Sequence, residues 1–284
     1  MLHGLVLAAM LSSGGPQWPV QAALGDALGL EFARCADLDS PPDTRIAACK
    51  MLLSASGTTS MEEAAAYADL AAAFNAKADY VAANEALSRG IAIEPNYWVL
   101  YNNRILLLLK QQNIDAALDD FRKLAAIDPA KFALEHPDWR ERLYSRERGL
   151  LKHQADIDER FNATLADMKQ DLSTALRRRC VYRADNNDLD EAASDCDLAV
   201  SMAPELPAAH MARAYVEFRQ QRYQQARDDL DQVLKTDSKD AAPFYLRFLV
   251  RLKQSDKGAD EDRKAALALD PKVEESAARH HLQP

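Results

Sequence analysis

Residues 173–206 read STALRRRCVYRADNNDLDEAASDCDLAVSMAPEL, and this stretch decides the fold. A polar turn at residues 186–188 separates two segments with helical periodicity, and each segment carries one cysteine. Cys180 and Cys196 each lie eight residues from Asp188. Two antiparallel helices joined at this turn would bring the two sulfur atoms to the same height, so the stretch predicts one helical hairpin.

The hairpin is one unit of a series with a period of 34 residues. Ala83 and Ala117 are 34 residues apart, and so are Ala192 and Ala226. Small residues at such positions allow two helices to pack closely, and a proline ends the second helix of most repeats. The repeats begin at or near Ala64, Trp98, Ser173, Pro207 and Asp240.

This pattern resembles the tetratricopeptide repeat (TPR), and the chain is similar to secreted bacterial TPR proteins. The resemblance covers about residues 62–129 and 173–272. It implies an all-α fold, a right-handed superhelical TPR solenoid of antiparallel helix hairpins whose first helices line a concave groove. The small number of glycines, 9 in 284 residues, also favours an all-helical protein.

The order of these features predicts five segments. Residues 117 and 192 are 75 apart, two periods plus seven, so the irregular segment between the repeats is either a degenerate repeat or an insertion. The five segments are a signal peptide (1–22), a disulfide-stapled helical hairpin (23–60), two TPR repeats (61–129), the degenerate repeat or insertion (130–172), and three TPR repeats with a C-terminal capping helix (173–284).

The first residues have the pattern of a secretory leader. A short apolar run at 5–11 precedes a polar, helix-breaking stretch, and Val20 and Ala22 supply the small residues of a cleavage site. We expect cleavage after Ala22 and a periplasmic or secreted protein; the alternative is a ragged terminus of a cytosolic protein. The apolar run is too short to span a bilayer, so we expect no membrane-spanning helix.

Four cysteines form two pairs, and each pair straddles a turn signal. Because disulfides persist in oxidising compartments, we predict the bonds Cys35–Cys49 and Cys180–Cys196. The alternatives are four buried thiols or a metal site, but separations of 14 and 16 residues do not match the short knuckles of structural zinc.

Arginine and aspartate recur together inside the repeats. Arginine falls at position 7 and aspartate near position 23, whereas the repeat from Ala64 lacks both. We predict structural ion pairs between the two helices of a hairpin; the alternative is solvated charges that share a period. On this hypothesis Arg213→Ala destabilises more than Arg251→Ala. The predicted pairs are Arg104–Asp120, Arg179–Asp195, Arg213–Asp229 and Arg247–Asp262.

No catalytic or metal-binding motif with supported spacing is present. His280 and His281 are adjacent and do not share a helix face, so we interpret them as surface residues. The net charge of -9 argues against nonspecific nucleic-acid binding. We therefore expect no enzymatic activity, no cofactor, no metal and no nucleic-acid partner.

The resemblance to TPR proteins implies that a peptide groove is lined by positions 2, 5, 6, 9, 12 and 13 of each repeat. Asn103 takes a position where family members use asparagine to hold a ligand backbone, but the residues of the family's carboxylate clamp are not reproduced. An alternative for Tyr215 and Phe218 is packing against the neighbouring repeat. The implied groove residues are Asn102, Asn103, Leu106, Lys110, Arg177, Arg178, Met211, Tyr215, Phe218, Arg219, Tyr245, Leu249 and Lys253.

These features predict a non-enzymatic scaffold in the cell envelope that binds a protein or peptide partner in its groove. The alternatives are a structural subunit of a larger envelope assembly and, more remotely, a periplasmic hydrolase with an unrecognised site.

Overall fold

The structure is a computed structural model that describes residues 24–136, 154–236 and 239–284. Within these residues the regular secondary structure is α-helical, and no strand occurs among them. The chain divides into two compact units, Met1–Met168 (unit 1) and Lys169–Pro284 (unit 2). The predicted signal peptide lies outside the described residues. No helix in the described part of the chain is long and apolar enough to cross a membrane.

The first six helices of unit 1 form successive hairpins in which each helix packs against the next. Its last described helix, α8, continues into unit 2. The helices are α1 (Leu24–Ala36), α2 (Pro42–Ser54), α3 (Ser60–Ala76), α4 (Tyr80–Ile93), α5 (Trp98–Lys110), α6 (Ile114–Ala125), α7 (Pro129–Glu135) and α8 (Gln154–Asp185).

Unit 2 starts within α8 and contains three hairpins followed by one short helix that packs on α12. The further helices are α9 (Leu189–Met202), α10 (Pro207–Arg219), α11 (Tyr223–Lys235), α12 (Ala241–Lys253), α13 (Ala259–Leu269) and α14 (Val273–Ala278). The prediction of an all-α fold made of antiparallel hairpins is confirmed within each unit.

The five repeat hairpins share one turn between their helices. In each of them the residue at position 15 has a positive φ, between 56° and 65°. The next residue donates its backbone N–H to the carbonyl five residues earlier at 2.8–3.0 Å, as in a Schellman C-cap. The positive-φ residues are Ala78, Gln112, Asn187, Gln221 and Ser255. None of them is glycine, the residue that most readily adopts a positive φ. The packing of the second helix against the first therefore holds these residues in a disfavoured backbone conformation.

Small residues let the paired helices approach closely. The alanine at position 20 is fully buried in four repeats, at Ala83, Ala117, Ala192 and Ala226. Gly90, at position 27, gives room to the next hairpin, because a Cβ there would lie 2.7 Å from Leu100 Cδ2 of α5.

The amino-terminal hairpin has the predicted staple. The turn before Pro42 separates α1 from α2, and Cys35 and Cys49 are joined by a disulfide with an S–S distance of 2.07 Å. Arg45 is buried beside it and donates its Nε–H to the carbonyl of Cys35 at 3.3 Å. Burial lowers the pKa of this guanidinium. A buried arginine was not expected at this place.

The irregular segment is helical where it is described. The predicted boundary between residues 172 and 173 falls inside α8, a continuous helix of 32 residues. No glycine or proline interrupts the helix, so nothing in its sequence ends it at the expected boundary. In unit 1, Phe132 of α7 and Phe161 of α8 pack edge to face on Trp98, at centroid distances of 5.2 and 5.8 Å. Residues 137–153 of the segment lie outside the described residues.

Candidate functional site

The first helices of successive hairpins lie side by side in each unit. In unit 1, α3 contacts α5. In unit 2, α10 contacts α12, and Arg219 of α10 donates a hydrogen bond from Nη1 to the carbonyl of Ala184 in α8 at 3.2 Å. We call the surface formed by these first helices the first-helix face of each unit.

On the first-helix face of unit 1, four predicted groove residues are accessible in the part of the chain that is described. Asn102, Asn103 and Leu106 are partly exposed and Lys110 is exposed. A cleft of about 40 Å³ runs between α3 and α5. It is lined by two asparagines and otherwise by aliphatic side chains: Ala71, Ala72, Asn75, Ala83, Leu87, Asn103, Leu106 and Leu107.

Lys110 closes one end of this face. Its ammonium group lies 4.7 Å from the ring centroid of Tyr80 and donates a hydrogen bond to Asn75 Oδ1 at 3.3 Å. By contrast, the side-chain amides of Asn102 and Asn103 make no hydrogen bond to the residues that the structure describes. Each carboxamide has both a donor and an acceptor group.

Arg177 and Arg178, two predicted groove residues in the part of α8 that belongs to unit 2, are adjacent positive charges. Arg178 is exposed, whereas Arg177 is partly buried and its Nε has no hydrogen-bond partner among the described residues. Burial and, to a smaller extent, the charge of Arg178 lower the pKa of Arg177. This end of the first-helix face of unit 2 is therefore positively charged.

Four predicted groove residues do not line an open groove. Tyr215, Phe218, Tyr245 and Leu249 have exposed fractions of 6%, 8%, 3% and 0%. They belong to the apolar core of unit 2 and share it with Val273, Ala277 and Leu282 from the C-terminal end of the chain. The prediction of groove exposure is wrong for these four residues, and the alternative of packing holds for Tyr215 and Phe218. Met211 is partly buried against the same core, while Arg219 and Lys253 stay at its rim.

Tyr215 is held by polar contacts at the covered end of this face. Its hydroxyl donates to Asp185 Oδ1 at 2.6 Å and lies 3.0 Å from the carbonyl oxygen of His280. Arg219 donates from Nη1 to the same hydroxyl at 2.9 Å. Burial and the carboxylate of Asp185 together raise the pKa of Tyr215 well above its ordinary range, so this residue remains a hydrogen-bond donor at all physiological pH values.

His280 and His281 differ in their surroundings. His280 Nδ1 lies 3.2 Å from Asp185 Oδ2, and its ring packs edge to face on Tyr215. His281 is exposed and has a positive φ of 60°. The interpretation of both as plain surface residues therefore misses the contacts of His280. The part of the chain that is described contains no group of three side chains suited to hold a metal ion.

The arginines at position 7 all make forked contacts with the aspartates of the second helix. In each case Nε and Nη2 donate to the two carboxylate oxygens at 2.6–2.8 Å, and the four aspartates are buried. Bidentate arginine–carboxylate pairs of this kind are among the strongest hydrogen-bonded ion pairs in proteins. The pairs are Arg104–Asp120, Arg179–Asp195, Arg213–Asp229 and Arg247–Asp262.

Arg104, Arg213 and Arg247 also connect consecutive hairpins. Their Nη1 atoms donate to a residue 16 positions earlier, on the second helix of the preceding hairpin. The acceptors are Ser88 for Arg104 at 3.0 Å, Asp197 for Arg213 at 3.4 Å, and Asp231 for Arg247 at 2.7 Å. Each acceptor stands at position 25 of its repeat. The pairs predicted from the sequence lie within one hairpin and therefore miss these contacts with the preceding one.

Arg251 is not the exposed control that the sequence suggested. Its Nη1 lies 2.9 Å from Asp262 Oδ2 and donates to the carbonyl of Gly258 at 3.1 Å. Its substitution would remove a partner of a buried carboxylate, so it does not separate paired from solvated arginines. Arg122, on the exposed side of α6, is the better control because its side chain is 68% exposed.

Asp229 has an unusual set of neighbours. In addition to Arg213, it is contacted by His210, whose Nδ1 lies 2.8 Å from Asp229 Oδ1. Glu217 is only 7% exposed, and its Oε2 has no hydrogen-bond partner among the described residues. Burial and, second, the charge of Asp229 raise the pKa of Glu217 from 4.5 to about 7.

This shift makes the stability of unit 2 dependent on pH. Between about pH 4.5 and pH 7 the folded chain keeps a proton on Glu217 that the unfolded chain has lost. The free energy of unfolding contributed by this group therefore falls as the pH rises through that window and is constant above it. We expect Glu217→Gln to remove this slope and to be more stable than the wild type by up to about 3 kcal/mol at pH 8.

Urea unfolding of both proteins at pH 5, 6, 7 and 8 measures the difference. The exposed Glu85→Gln variant is the control, because that side chain is 61% exposed, and it should parallel the wild type. Parallel curves for Glu217→Gln and the wild type would contradict a titrating Glu217.

The chain is similar to solved structures, but it matches no protein family by sequence. No protein-family model matches the chain, and no curated protein matches it. Among solved structures, YrrB, described as a TPR protein with an unusual peptide-binding site, is 13% identical and has a TM-score of 0.44 over 77% of this chain and 92% of its own. MamA is 13% identical, with a TM-score of 0.45 over 78% and 98%. A TPR protein from Parabacteroides merdae is 16% identical, with a TM-score of 0.34 over 91% and 100%.

These similarities concern helical-repeat architecture. At such identities and TM-scores they say nothing about a partner, an activity or a compartment of this chain.

Proposed function

We propose that this chain is a non-enzymatic TPR scaffold of the cell envelope that binds an extended segment of a protein partner on the concave, first-helix side of its repeats. The observation that carries the proposal is the first-helix face of unit 1. There the amides of Asn102 and Asn103, which make no hydrogen bond to the described residues, lie beside Leu106 and a cleft lined by alanines. The absence of a catalytic motif from the sequence fits a binding role.

The chemistry of this face suits a peptide backbone. An extended segment offers N–H donors and carbonyl acceptors in alternation, and a carboxamide has both kinds of partner. Ala71 and Ala72 make the opposite wall shallow, while Leu106 supplies apolar surface for a side chain of the ligand. A partner that binds here would be held by its backbone, with modest side-chain selection.

The disulfides support the envelope location. Both bonds are present in the structure, and all four cysteines are fully buried. Disulfides of this kind persist in secreted and periplasmic proteins and are rare in a reducing cytosol. Together with the predicted signal peptide at 1–22, they favour an exported scaffold.

A photo-crosslinking amino acid placed at position 106 tests the binding role. We expect one discrete crosslinked product in the envelope fraction, because residue 106 lines the cleft. The same group at position 122, on the exposed side of α6, should give none. After the crosslinked segment is identified by mass spectrometry, Asn103→Ala should weaken its binding about tenfold, the equivalent of one well-formed hydrogen bond to a desolvated group.

Equal crosslinking from positions 106 and 122, or no product from either, would overturn the proposal. Unchanged affinity of the Asn103→Ala variant would show that the partner does not use this amide.

A further inference from the structure

The C-terminal end of the chain occupies the first-helix face of unit 2. After α14 ends at Ala278, the chain turns back, and Leu282 donates its backbone N–H to the carbonyl of Ala277 at 3.1 Å. His281, at the turn, has the positive φ that this reversal needs. Residues 279–284 are here called the tail, and its His280 contacts Asp185 of α8 and Tyr215 of α10.

The contacts of the tail are those of a bound peptide. The carbonyl oxygen of His280 lies 3.0 Å from the Tyr215 hydroxyl, and the imidazole lies 3.2 Å from Asp185 Oδ2. Two residues later, Leu282 is 8% exposed and enters the apolar core that includes Tyr215. The tail therefore supplies one backbone acceptor, one basic side chain and one apolar anchor.

Helix α14 itself contributes buried residues to the last hairpin. Val273 and Ala277 of α14 are already buried, and α14 packs against α12. The tail instead reaches α8 and α10, and its contact with Tyr215 joins residues 65 positions apart. Its side-chain ion pair is at the rim, since the side chains of His280 and Asp185 are 54% and 32% exposed. An occupant held by one buried anchor and rim contacts is suited to exchange.

We infer that the tail is a displaceable occupant of a second peptide-binding site, which selects an extended segment with a basic side chain facing Asp185 and an aliphatic residue two positions later. The inference rests on the proposed binding role of the first-helix faces and adds that the site in unit 2 is closed by the chain itself. An acidic segment would place its charge against the carboxylate of Asp185 and is rejected.

Release of the tail in the full chain tests this assignment. The variant His280→Ala/Leu282→Ala loses both the rim contact and the anchor. The probe is a fluorescein-labelled synthetic peptide with the sequence of residues 275–284, ESAARHHLQP, measured by fluorescence anisotropy. A tethered tail competes at an effective concentration near the millimolar range, so we expect the probe to bind the released variant at least about tenfold more tightly than the wild type.

Three comparisons define the site. Asp185→Asn, added to the released variant, should weaken the probe about tenfold, and a probe with glutamate in place of its first histidine should bind at least as weakly. The matched control is His281→Asn/Gln283→Ala, which changes two exposed tail residues and should behave as the wild type. A merely structural tail would leave the released variant less stable and without affinity for the probe.

Equal binding of the probe to the wild type and to a released variant with wild-type circular dichroism would overturn the inference. If the double variant does not fold, His280→Ala alone keeps the anchor and should still tighten probe binding, and no gain would count equally against the tail as an occupant. Crosslinking at position 106 concerns unit 1 alone, so its success combined with failure here would remove only this inference.

Discussion

Asp229→Ala should lower the free energy of unfolding by about 3–5 kcal/mol, the largest loss we expect from a single substitution in this chain. The carboxylate of Asp229 accepts two hydrogen bonds from Arg213, at 2.7 and 2.8 Å, and lies 2.8 Å from His210. Alanine would leave Nε and Nη2 of the partly buried Arg213, and Nδ1 of His210, without the carboxylate that they now contact. The cost of burying uncompensated charge, more than the lost attraction, sets the size of the effect.

Asp119→Ala is the matched control on the exposed side of α6. Its carboxylate is 67% exposed and pairs with Arg122 within one helix, so the loss should be below about 0.5 kcal/mol. Urea unfolding followed by circular dichroism at pH 7 measures both losses. Equal values would show that burial of Asp229 does not make its ion pairs important for stability.

The periodic part of the fold is predictable because it depends on residues with fixed spacing. The alanines at position 20 and the arginines at position 7 face the same neighbours in each hairpin, so one alignment places them all. Their partners follow from the antiparallel arrangement of the two helices. Ser88 and Asp197 could have been assigned by the same arithmetic, extended from one hairpin to the preceding one.

The turns and the start of α8 are less visible in the sequence. Ala78 and Gln221 adopt a positive φ without being glycine or asparagine, because tertiary packing overrides their local preference. Likewise, residues 154–185 lack any helix breaker, so a boundary inferred from the repeat period at residue 173 does not end the helix.

The candidate site is predictable only in part. The position of Asn103 or Tyr215 within its repeat predicts the helix face on which the side chain lies, but not whether another segment packs on that face. The Asn103 amide makes no hydrogen bond to the described residues, whereas Tyr215 contacts a segment 65 residues further along the chain. The tail has no repeat pattern, so its contact with α8 and α10 could not be derived from the period.

Loss of the Cys180–Cys196 disulfide should also destabilise unit 2 strongly. The bond closes a loop with a sequence separation of 16 residues, and both cysteines are fully buried. In the chain-entropy model such a crosslink contributes about 3 kcal/mol by restricting the unfolded chain. We expect Cys180→Ala/Cys196→Ala to lose about 4 kcal/mol, since the two alanines also leave a small cavity in the core.

A second variant separates the crosslink from the packing. The repeats that begin at Ala64 and Pro207 have alanine at position 8 and leucine at position 24, and those residues are buried without a disulfide. Cys180→Ala/Cys196→Leu copies this pair, so it should recover about 1 kcal/mol of the loss while still lacking the crosslink. Urea unfolding of both variants at pH 7 measures the contribution of the crosslink and the contribution of core packing separately. If the leucine variant matched the wild type, the bond would contribute only by filling space; if it were no better than the alanine variant, the repeats would not share a common packing at this position.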